Sequence, residues 1–297
     1  MNTNIKITSS CGPVLARLFS SSVIDELASK GHSPLATRIL NEAGLFREFD
    51  PAILLRDFFD QIHTLLFRSY RNEYIYKNAI ARKILLGVHS LNTASMLTEF
   101  RAGNCKADVI VLNGTSTVYE IKSAYDSMER LTRQIAAYRL LFDRINVITS
   151  DSQLDKVAGV VGNDIGLMVL TDRYTISTER EPSSLKSSVR SEVIFDSLRR
   201  NEYEQIVKAQ IGEVPQVSNA RMYQACRELF SVIDPITAHD SMVAVLKKRD
   251  NSRRLRDFVL SVPESLTAAS LSCKLGVAGQ VRFSQLLNTA IGGCLAG

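Results

Sequence analysis

The chain has 297 residues, of which 45% are hydrophobic and 23% are charged, values that are ordinary for a soluble globular protein. No apolar run approaches the ~20 residues that a membrane-spanning helix needs, and the first residues lack the long apolar core of a secretion signal. We therefore expect a cytoplasmic protein with no membrane partner, built from one large domain or from about two to three modest ones.

The net charge of +5 is unevenly distributed along the chain. Residues 1–66 sum to −1, residues 67–182 to +2 and residues 183–297 to +4. The last part contains "KKRDNSRRLRD", with six basic and two acidic residues. Such a run is compatible with a nucleic-acid backbone, although a solvated helix face is its commoner explanation. The candidate phosphate contacts in it are Lys247, Lys248, Arg249, Arg253 and Arg254.

Helical patterns dominate the first part of the chain. The segments "PVLARLFSSSVIDELASKG" and "DPAILLRDFFDQIHTLLFRSY" carry apolar residues at helical spacing, and the second begins with an aspartate cap at Asp50 and Pro51 in its first turn. A third helix is predicted over "NEYIYKNAIARKILLG". Residues 1–66 are therefore expected to form a helical N-terminal region.

The hydrophobic period then changes to that of strands. "SMLTEF", "ADVIVL" and "STVYEIK" are short, rich in β-branched residues and separated by Gly103 and by Asn113-Gly114, which are hairpin signals. A helix over "DSMERLTRQIAAYRLLF" follows, and then strand, helix and strand over "INVITS", "DSQLDKVAGVVG" and "IGLMVLT". The order α-β-β-β-α-β-α-β over residues 73–176 predicts an α/β fold with a mixed sheet and helices on its faces.

A polar segment at residues 177–192 is interpreted as a domain boundary, which gives a core over 67–182 and a helical C-terminal domain over 183–297. Near the end of that domain, Thr267 as a cap and Gly276 near a turn weakly suggest a helix-turn-helix. Its second helix carries only one basic residue, Arg282. A helical surface for a protein partner or a homodimer is the stronger alternative.

Three charged residues lie in the hairpin "KADVIVLNGTSTVYEIKS". Because side chains alternate along a strand, Glu120 and Lys122 share a face, and a turn near Asn113-Gly114 places Asp108 roughly opposite them. Two close carboxylates repel unless a proton or a cation lies between them, and Mg²⁺ or Mn²⁺ prefers oxygen ligands. The backbone carbonyl of Ile121 could supply a further oxygen. We therefore predict a metal site that hydrolyses phosphodiesters.

The hairpin also has a simpler interpretation. Asp108 could cap a strand end, and Glu120 with Lys122 could be an exposed pair on an edge strand. The surrounding strands are too apolar to face water on both sides, which favours the catalytic interpretation.

The order of elements and the spacing "AD", eleven residues, "EIK" resemble the PD-(D/E)XK nuclease superfamily, with its restriction-endonuclease-like α-β-β-β-α-β core. The resemblance covers residues 67–176 and suggests a bacterial or phage member. It implies that Asp108 and Glu120 are metal ligands and that Lys122 is the catalytic lysine. Ala107 stands where the motif has a proline, and both flanks remain unexplained by the resemblance.

Further residues extend the resemblance. Gln134 and Tyr138, four apart on one helix, resemble the Q-x-x-x-Y element of RecB-like members, in which these residues face the active site or the nucleic acid; Tyr138 could instead belong to the core. Many members have another acidic residue before the hairpin, and here Glu99 and Glu73 are equal candidates. Arg101 could pair with Glu99, and Lys77 could pair with Glu73.

On the same helix, Arg130, Arg133 and Arg139 could contact phosphates, or could simply be solvated. The leading hypothesis is a magnesium- or manganese-dependent nuclease acting on nucleic acid, more on DNA than on RNA. The alternatives are a nucleic-acid-binding protein that keeps the fold without cleavage and a non-enzymatic adaptor.

Overall fold

A computed structural model describes residues 11–249 and 253–295. The chain divides into two compact units, one formed by Met1–Ile84 with Ser252–Gly297 and the other by Leu85–Asn251. Among the described residues, no helix combines the length and the apolar content required to cross a bilayer.

The first unit is helical. Its helices are α1 Gly12–Ala16, α2 Ser21–Lys30, α3 Pro34–Glu42, α4 Leu55–Ser69, α5 Glu73–Ala79, α12 Arg253–Ser261, α13 Thr267–Ser272, α14 Val277–Leu286 and α15 Ile291–Leu295. The chain continues from α5 as a π-helical turn over Ile80–Leu85, which leads into the second unit.

Two helix boundaries differ from the sequence prediction. The first predicted helix is interrupted, because Ser20 is extended and only then does α2 begin, ending at Gly31 in a left-handed conformation with φ 79°. The second helix begins at Leu55, whereas Asp50 caps a preceding turn by accepting the backbone N–H of Ala52 at 2.9 Å. Asp50 therefore does satisfy a backbone donor, but in a turn instead of a helix.

The second unit contains the sheet. Within the described part of the chain, six strands form one sheet in the order β1-β2-β3-β4-β5-β6: Ser95–Ala102, Cys105–Leu112, Ser116–Lys122, Arg144–Thr149, Gly166–Leu170 and Ile176–Arg180. Strands β3, β4 and β5 are parallel, and the other neighbours are antiparallel. The predicted α/β class with a mixed sheet is confirmed. The helices are α6 Leu131–Arg139, α7 Leu154–Ala158, α8 Ser191–Ser197, α9 Arg200–Ile211, α10 Asn219–Ser231 and α11 Pro235–Leu246.

One face of the sheet shares a hydrophobic core with α6. Val118 of β3 and Val147 of β4 belong to the same buried cluster as Leu131, Ile135 and Tyr138 of α6. Because β3 alternates, Glu120 and Lys122 lie on the same face as Val118. The polar end of β3 is therefore carried on the side of the sheet that α6 covers.

Strand β6 overlaps the start of the polar segment 177–192, which the sequence predicts to be a domain boundary. Ile176–Arg180 pairs antiparallel with β5, with a bulge between Leu167 and Met168. All five β6 residues are exposed or half-buried, so the strand lacks the apolar alternation by which strands are recognised in a sequence. Its position at the edge of the sheet explains that composition.

Candidate functional site

The β2–β3 hairpin carries Asp108, Glu120 and Lys122 close together. Its ladder pairs Val109 with Tyr119 and Ile110 with Val118, and continuing that register sets Asp108 opposite Glu120. At the end of the ladder, the Asp108 side chain accepts the backbone N–H of Ile121 at 2.8 Å through Oδ2. The half-buried Asp108 therefore does cap a strand end, as the simpler interpretation proposed, and it does so beside Glu120.

Glu120 is the centre of a buried polar network. The carboxylate is 1% exposed, and its Oε1 accepts from Lys122 Nζ at 3.0 Å. Two residues of α6 complete the set: Gln134 donates Nε2–H to the same Oε1, and the Tyr138 hydroxyl donates to Oε2 at 2.8 Å. All three donors come from positions that the sequence analysis had selected.

Lys122 and Tyr138 each have a second contact. Lys122 is 5% exposed, and its ammonium also donates to Gln134 Oε1 at 3.0 Å. The Tyr138 hydroxyl lies 3.0 Å from the backbone carbonyl oxygen of Lys106. Tyr138 is therefore both a fully buried core residue and a direct partner of Glu120, so the two interpretations of this residue hold together.

The protonation behaviour of the network follows from its burial. Removal from water raises the pKa of the Glu120 carboxyl, while the Lys122 charge and the hydrogen bonds from Tyr138 and Lys122 act in the opposite direction. Burial and the nearby Glu120 charge raise the pKa of the Tyr138 phenol, so that it remains a hydrogen-bond donor. The buried Glu120 carboxyl is therefore contacted by one cation and two neutral hydrogen-bond donors.

Glu99 occupies a distorted position in β1. Its φ is 55°, a left-handed conformation that is uncommon for a residue with a side chain, and the β1–β2 ladder passes from Thr98–Val109 to Phe100–Ala107 without pairing Glu99. Carboxylate oxygens of Glu99 and Asp108 lie within 4.8 Å of each other.

The partners of the two additional acidic candidates can now be assigned. Lys106 Nζ lies 3.0 Å from Glu99, whereas the suggested partner Arg101 donates from Nε to the Gly103 carbonyl at 3.3 Å. Glu73 belongs to the other unit, where it pairs with Lys77 at 2.5 Å, as the alternative interpretation suggested. Within the second unit, Glu99 is thus the candidate that lies beside Asp108.

The topology excludes one alternative. Strand β3 has β2 on one side and β4 on the other, so it is an interior strand and Glu120 and Lys122 are not an edge-strand pair. Ile121 faces the opposite side of the sheet from Glu120, and its side chain is 3% exposed.

The arginines of α6 differ in their surroundings. Arg130, at the N-terminus of the helix, and Arg133 are exposed. Arg139 is half-buried and forms a two-point ion pair with Asp164, which raises the pKa of the arginine and lowers that of the aspartate. Arg139 is therefore held by the protein, and Arg130 and Arg133 present their charges to solvent.

The basic residues after α11 also differ in their surroundings. Arg249 forms an ion pair with the buried Glu202, and its guanidinium lies 5.4 Å from the centre of the Phe100 ring. Lys248 is exposed, and Lys247 is half-buried. The other two predicted contacts belong to the first unit: Arg254 is exposed, and the side chain of Arg253 lies outside the described part of the structure.

The weak helix-turn-helix pattern corresponds to α13 and α14. Arg282, the basic residue of the second helix, donates from Nε to the Ala28 carbonyl at 2.8 Å. Its guanidinium is thus engaged by the protein backbone, which does not favour a role in a DNA groove.

Two residues that were not predicted from the sequence also support the site. Lys106 provides the cation beside Glu99 and the carbonyl oxygen that Tyr138 contacts. Thr149, at the end of β4, donates its hydroxyl to the Lys122 carbonyl at 2.6 Å. The first could have been found by pairing opposite charges across the β1–β2 hairpin. The second depends on β3 lying parallel to β4, a pairing that no local pattern reveals.

A family model built on bacteriophage P4 protein cII matches residues 67–271, which is more than half of the chain. The chain belongs to the bacteriophage P4 protein cII family. The matched range includes β1 to β6 and every residue of the Glu120 network, so the candidate site lies within the part that defines this cII-family protein.

Individual relatives are more distant. Protein cII of Enterobacteria phage P4 is 26% identical over 98 residues, and the match covers 32% of this chain and 33% of that protein. The chain thus spans about a third of the length of the curated relative that it matches. Among solved structures, the SPO1766 protein of unknown function from Silicibacter pomeroyi is 22% identical with a TM-score of 0.29, covering 36% of this chain and 68% of that one. A TM-score so low supports no statement about fold or function.

Proposed function

We propose that this cII-family protein is a divalent-metal-dependent nuclease that hydrolyses phosphodiester bonds, in DNA more than in RNA. The observation that carries the proposal is the buried carboxylate of Glu120, held by Lys122 and by Gln134 and Tyr138 of α6, next to Asp108 on the neighbouring strand. Buried titratable groups with specific charged partners are concentrated at functional sites, although structural ion pairs produce them too.

The arrangement of elements supports a restriction-endonuclease-like core for residues 67–182. In chain order, α5 of the first unit is followed by β1, β2, β3, α6 and β4 of the second unit, with β1 to β3 antiparallel and β4 parallel to β3. This is the order expected from the PD-(D/E)XK resemblance, and α6 carries both residues of the Q-x-x-x-Y element towards Glu120.

The oxygens at the site suit a hard cation such as Mg²⁺ or Mn²⁺. Glu99 and Asp108 bring carboxylate oxygens within 4.8 Å, and Glu120 receives three donors where a carboxylate can accept about four. Asp108, Glu120, Glu99 and the carbonyl of Ile121 would hold the ion. Such an ion acidifies a bound water and stabilises negative charge on a phosphate.

The chain's own residues would then orient the reacting groups. The Lys122 ammonium is positioned by Glu120 Oε1 and Gln134 Oε1, both at 3.0 Å, and it is the cation of this network that could face a phosphate oxygen. Tyr138 keeps Glu120 in place from the helix side. Gln134, which donates to Glu120 and accepts from Lys122, links the two charges.

Asp108→Asn is the sharpest test of this function. The amide oxygen can still accept the Ile121 N–H, so the strand end keeps its cap while the carboxylate charge is removed. With Mg²⁺ or Mn²⁺, we expect the wild-type protein to cleave a labelled oligonucleotide and EDTA to stop it. Asp108→Asn should slow cleavage by about a hundredfold or more, since metal stabilisation is worth several kcal/mol.

The matched control is Glu213→Gln, which removes one charge from an exposed carboxylate in the loop after α9. It should cleave at the wild-type rate. Equal rates for Asp108→Asn and Glu213→Gln, in preparations shown to be free of contaminating nuclease, would refute the proposal.

Metal binding can be measured without cleavage. Binding to the folded state stabilises it in proportion to the logarithm of the ligand concentration, so Mn²⁺ should raise the unfolding temperature of the wild-type protein and of Glu213→Gln. Asp108→Asn should show a smaller rise. A Mn²⁺ response that is the same in all three proteins would place the ion elsewhere.

One observation favours a second candidate, a protein that binds nucleic acid or acts as an adaptor without cleaving. Glu120 and Lys122 are 1% and 5% exposed, and they satisfy each other and α6 without any ligand. A complete buried network can serve structure alone. Salt-sensitive nucleic-acid binding without cleavage in any metal would favour a silent binding protein, and the lack of both would favour an adaptor.

A further inference from the structure

The loop that leaves β3 directly after Lys122 is held in one conformation by several hydrogen bonds. Asp126 Oδ2 accepts the Ser123 N–H at 2.8 Å and the Ser123 hydroxyl at 2.6 Å, and the Asp126 N–H returns to the Ser123 carbonyl at 3.2 Å. Gln153, from the turn before α7, donates to the Ala124 carbonyl at 3.2 Å. The loop is thus tied both to itself and to the neighbouring β4–α7 connection.

This loop presents Tyr125 to solvent. The residue is 59% exposed. Tyr125 follows Lys122 by three residues, so their Cα atoms lie no more than about 11 Å apart.

Two arginines continue the same stretch. The loop enters α6 at Arg130, and Arg133 follows in the first turn; both are exposed. Arg130 is one helical turn before Gln134, whose N–H donates to the Arg130 carbonyl at 2.9 Å, and Gln134 reaches Glu120 and Lys122. Residues four apart share a helix face, so Arg130 lies on the face of α6 that carries the site.

We propose that Tyr125 stacks on an unpaired base of a single-stranded nucleic acid whose phosphates are contacted by Arg130 and Arg133. This inference rests on the proposed nuclease function, because it specifies the substrate of the same site. An aromatic ring beside a cationic track is the combination by which proteins bind single strands without reading sequence, since every base has a π-face.

The strand preference follows from base accessibility. In a duplex the bases are stacked and paired, so a protruding ring could use one only after it had been unstacked, at a cost of a few kcal/mol. In a single strand the base is already available. The loop hydrogen bonds add to the effect, because a backbone that is already ordered loses little conformational freedom on binding.

Binding is tested with the full-length protein in EDTA, so that no cleavage occurs. The probes are a fluorescein-labelled single-stranded DNA of mixed sequence, the RNA of the same sequence and the blunt DNA duplex, each followed by fluorescence anisotropy. We expect the DNA and RNA single strands to bind more tightly than the duplex. Tyr125→Ala should weaken single-strand binding by about tenfold, whereas Tyr125→Phe, which keeps the ring, should bind like the wild type.

The arginines are tested by salt dependence. Arg130→Ala with Arg133→Ala should lower the slope of log K against log salt for single strands by about 0.7 for each phosphate interaction that the substitutions remove. Arg221→Ala, which removes an exposed arginine on α10, should leave the slope unchanged. Circular dichroism of each variant verifies that the fold is retained.

Three results would overturn the inference: single-strand affinity that is unaffected by Tyr125→Ala, equal losses in Tyr125→Ala and Tyr125→Phe, or tighter binding to the duplex. Its outcome is separate from that of the nuclease proposal. Tyr125-dependent binding without cleavage in any metal would refute only the nuclease. Metal-dependent cleavage with no contribution from Tyr125 would refute only the stacking.

Discussion

Replacing Lys122 by methionine should destabilise the second unit because it leaves a buried carboxylate without its cation. Glu120 is 1% exposed, and the Lys122 ammonium lies 3.0 Å from its Oε1. At an effective dielectric constant of about 20, two unit charges at this distance interact with about 5 to 6 kcal/mol. Breaking a buried ion pair by removing one partner typically costs about 3 to 5 kcal/mol, and we expect a loss in that range.

Replacing both charges should cost much less than the two single changes together. In Glu120→Gln the ammonium loses its counter-charge, but in the double variant Glu120→Gln, Lys122→Met neither charge remains, and the amide oxygen can still accept from Tyr138. A double-mutant cycle should therefore give a coupling energy of at least about 2 kcal/mol. The double variant should fold and should lack cleavage, which separates catalysis from stability.

The stability that the second unit loses in Lys122→Met should also depend on pH. Burial raises the pKa of Glu120 above the ordinary value of 4.5, and removal of Lys122 takes away an interaction that lowers it. A group whose pKa is raised by folding contributes stability that is fully present below its pKa in the unfolded chain. That contribution is lost as the pH rises through its pKa in the folded protein. The difference between wild type and Lys122→Met should thus be larger at about pH 8 than at about pH 5.

Urea unfolding followed by far-ultraviolet circular dichroism measures these effects, because the chain has no tryptophan to report by fluorescence. The two compact units call for a fit with separate transitions, of which the one that shifts belongs to Leu85–Asn251. For a unit of this size, a loss of about 3 to 5 kcal/mol lowers the unfolding temperature by about 6 to 20 °C. Single losses below about 1 kcal/mol, or losses that simply add, would show that the pair behaves like an exposed one and would refute the reasoning.

Two further predictions concern residues outside the site. Burial lowers the pKa of His239, whose Nε2 lies 2.7 Å from the buried Ser116 hydroxyl. The stability of the second unit should therefore be complete above the unfolded pKa of about 6.5 and should decline as the pH falls below it, and the urea midpoint of His239→Gln should lose this pH dependence. Arg249→Met should destabilise the second unit by about 3 to 5 kcal/mol, because it leaves the buried Glu202 without its cation, and it should not change the salt slope of nucleic-acid binding. Lys248→Ala should lower that slope and leave the urea midpoint unchanged. The reverse pattern would contradict both assignments.

The sequence was most informative where local patterns determine structure. Alternation and the Asn113-Gly114 turn predicted the β2–β3 hairpin, and the same alternation set Glu120 and Lys122 on one face. Helical spacing then predicted that Gln134 and Tyr138 share a helix face, and both contact Glu120. The shared faces follow from the periods of the strand and the helix alone, whereas the resemblance to the Q-x-x-x-Y element was needed to expect that Gln134 and Tyr138 face the site.

Features that depend on distant segments were beyond the reach of such patterns. Arg249 meets Glu202, 47 residues earlier, and the N-terminal helices join the segment after Ser252 in one unit. The left-handed φ of Glu99 arises from an interrupted ladder and carries no composition signal, because glutamate gives no indication of positive φ. Local propensity cannot anticipate contacts that tertiary packing alone creates.

The two central carboxylates of the site, Glu120 and Asp108, differ in burial and in their contacts. Glu120 is buried and receives donors from Lys122, Gln134 and Tyr138, so its position is fixed by the protein. Asp108 is half-buried and lies beside the exposed Glu99, so it is the more accessible of the two carboxylates. For Lys122 to act on a phosphate, it must give up part of its contact with Glu120 or with Gln134. A cation bound to Glu120 would weaken the attraction between that carboxylate and the Lys122 ammonium. Metal binding and the release of Lys122 towards a phosphate should therefore be coupled, and the coupling should be reciprocal.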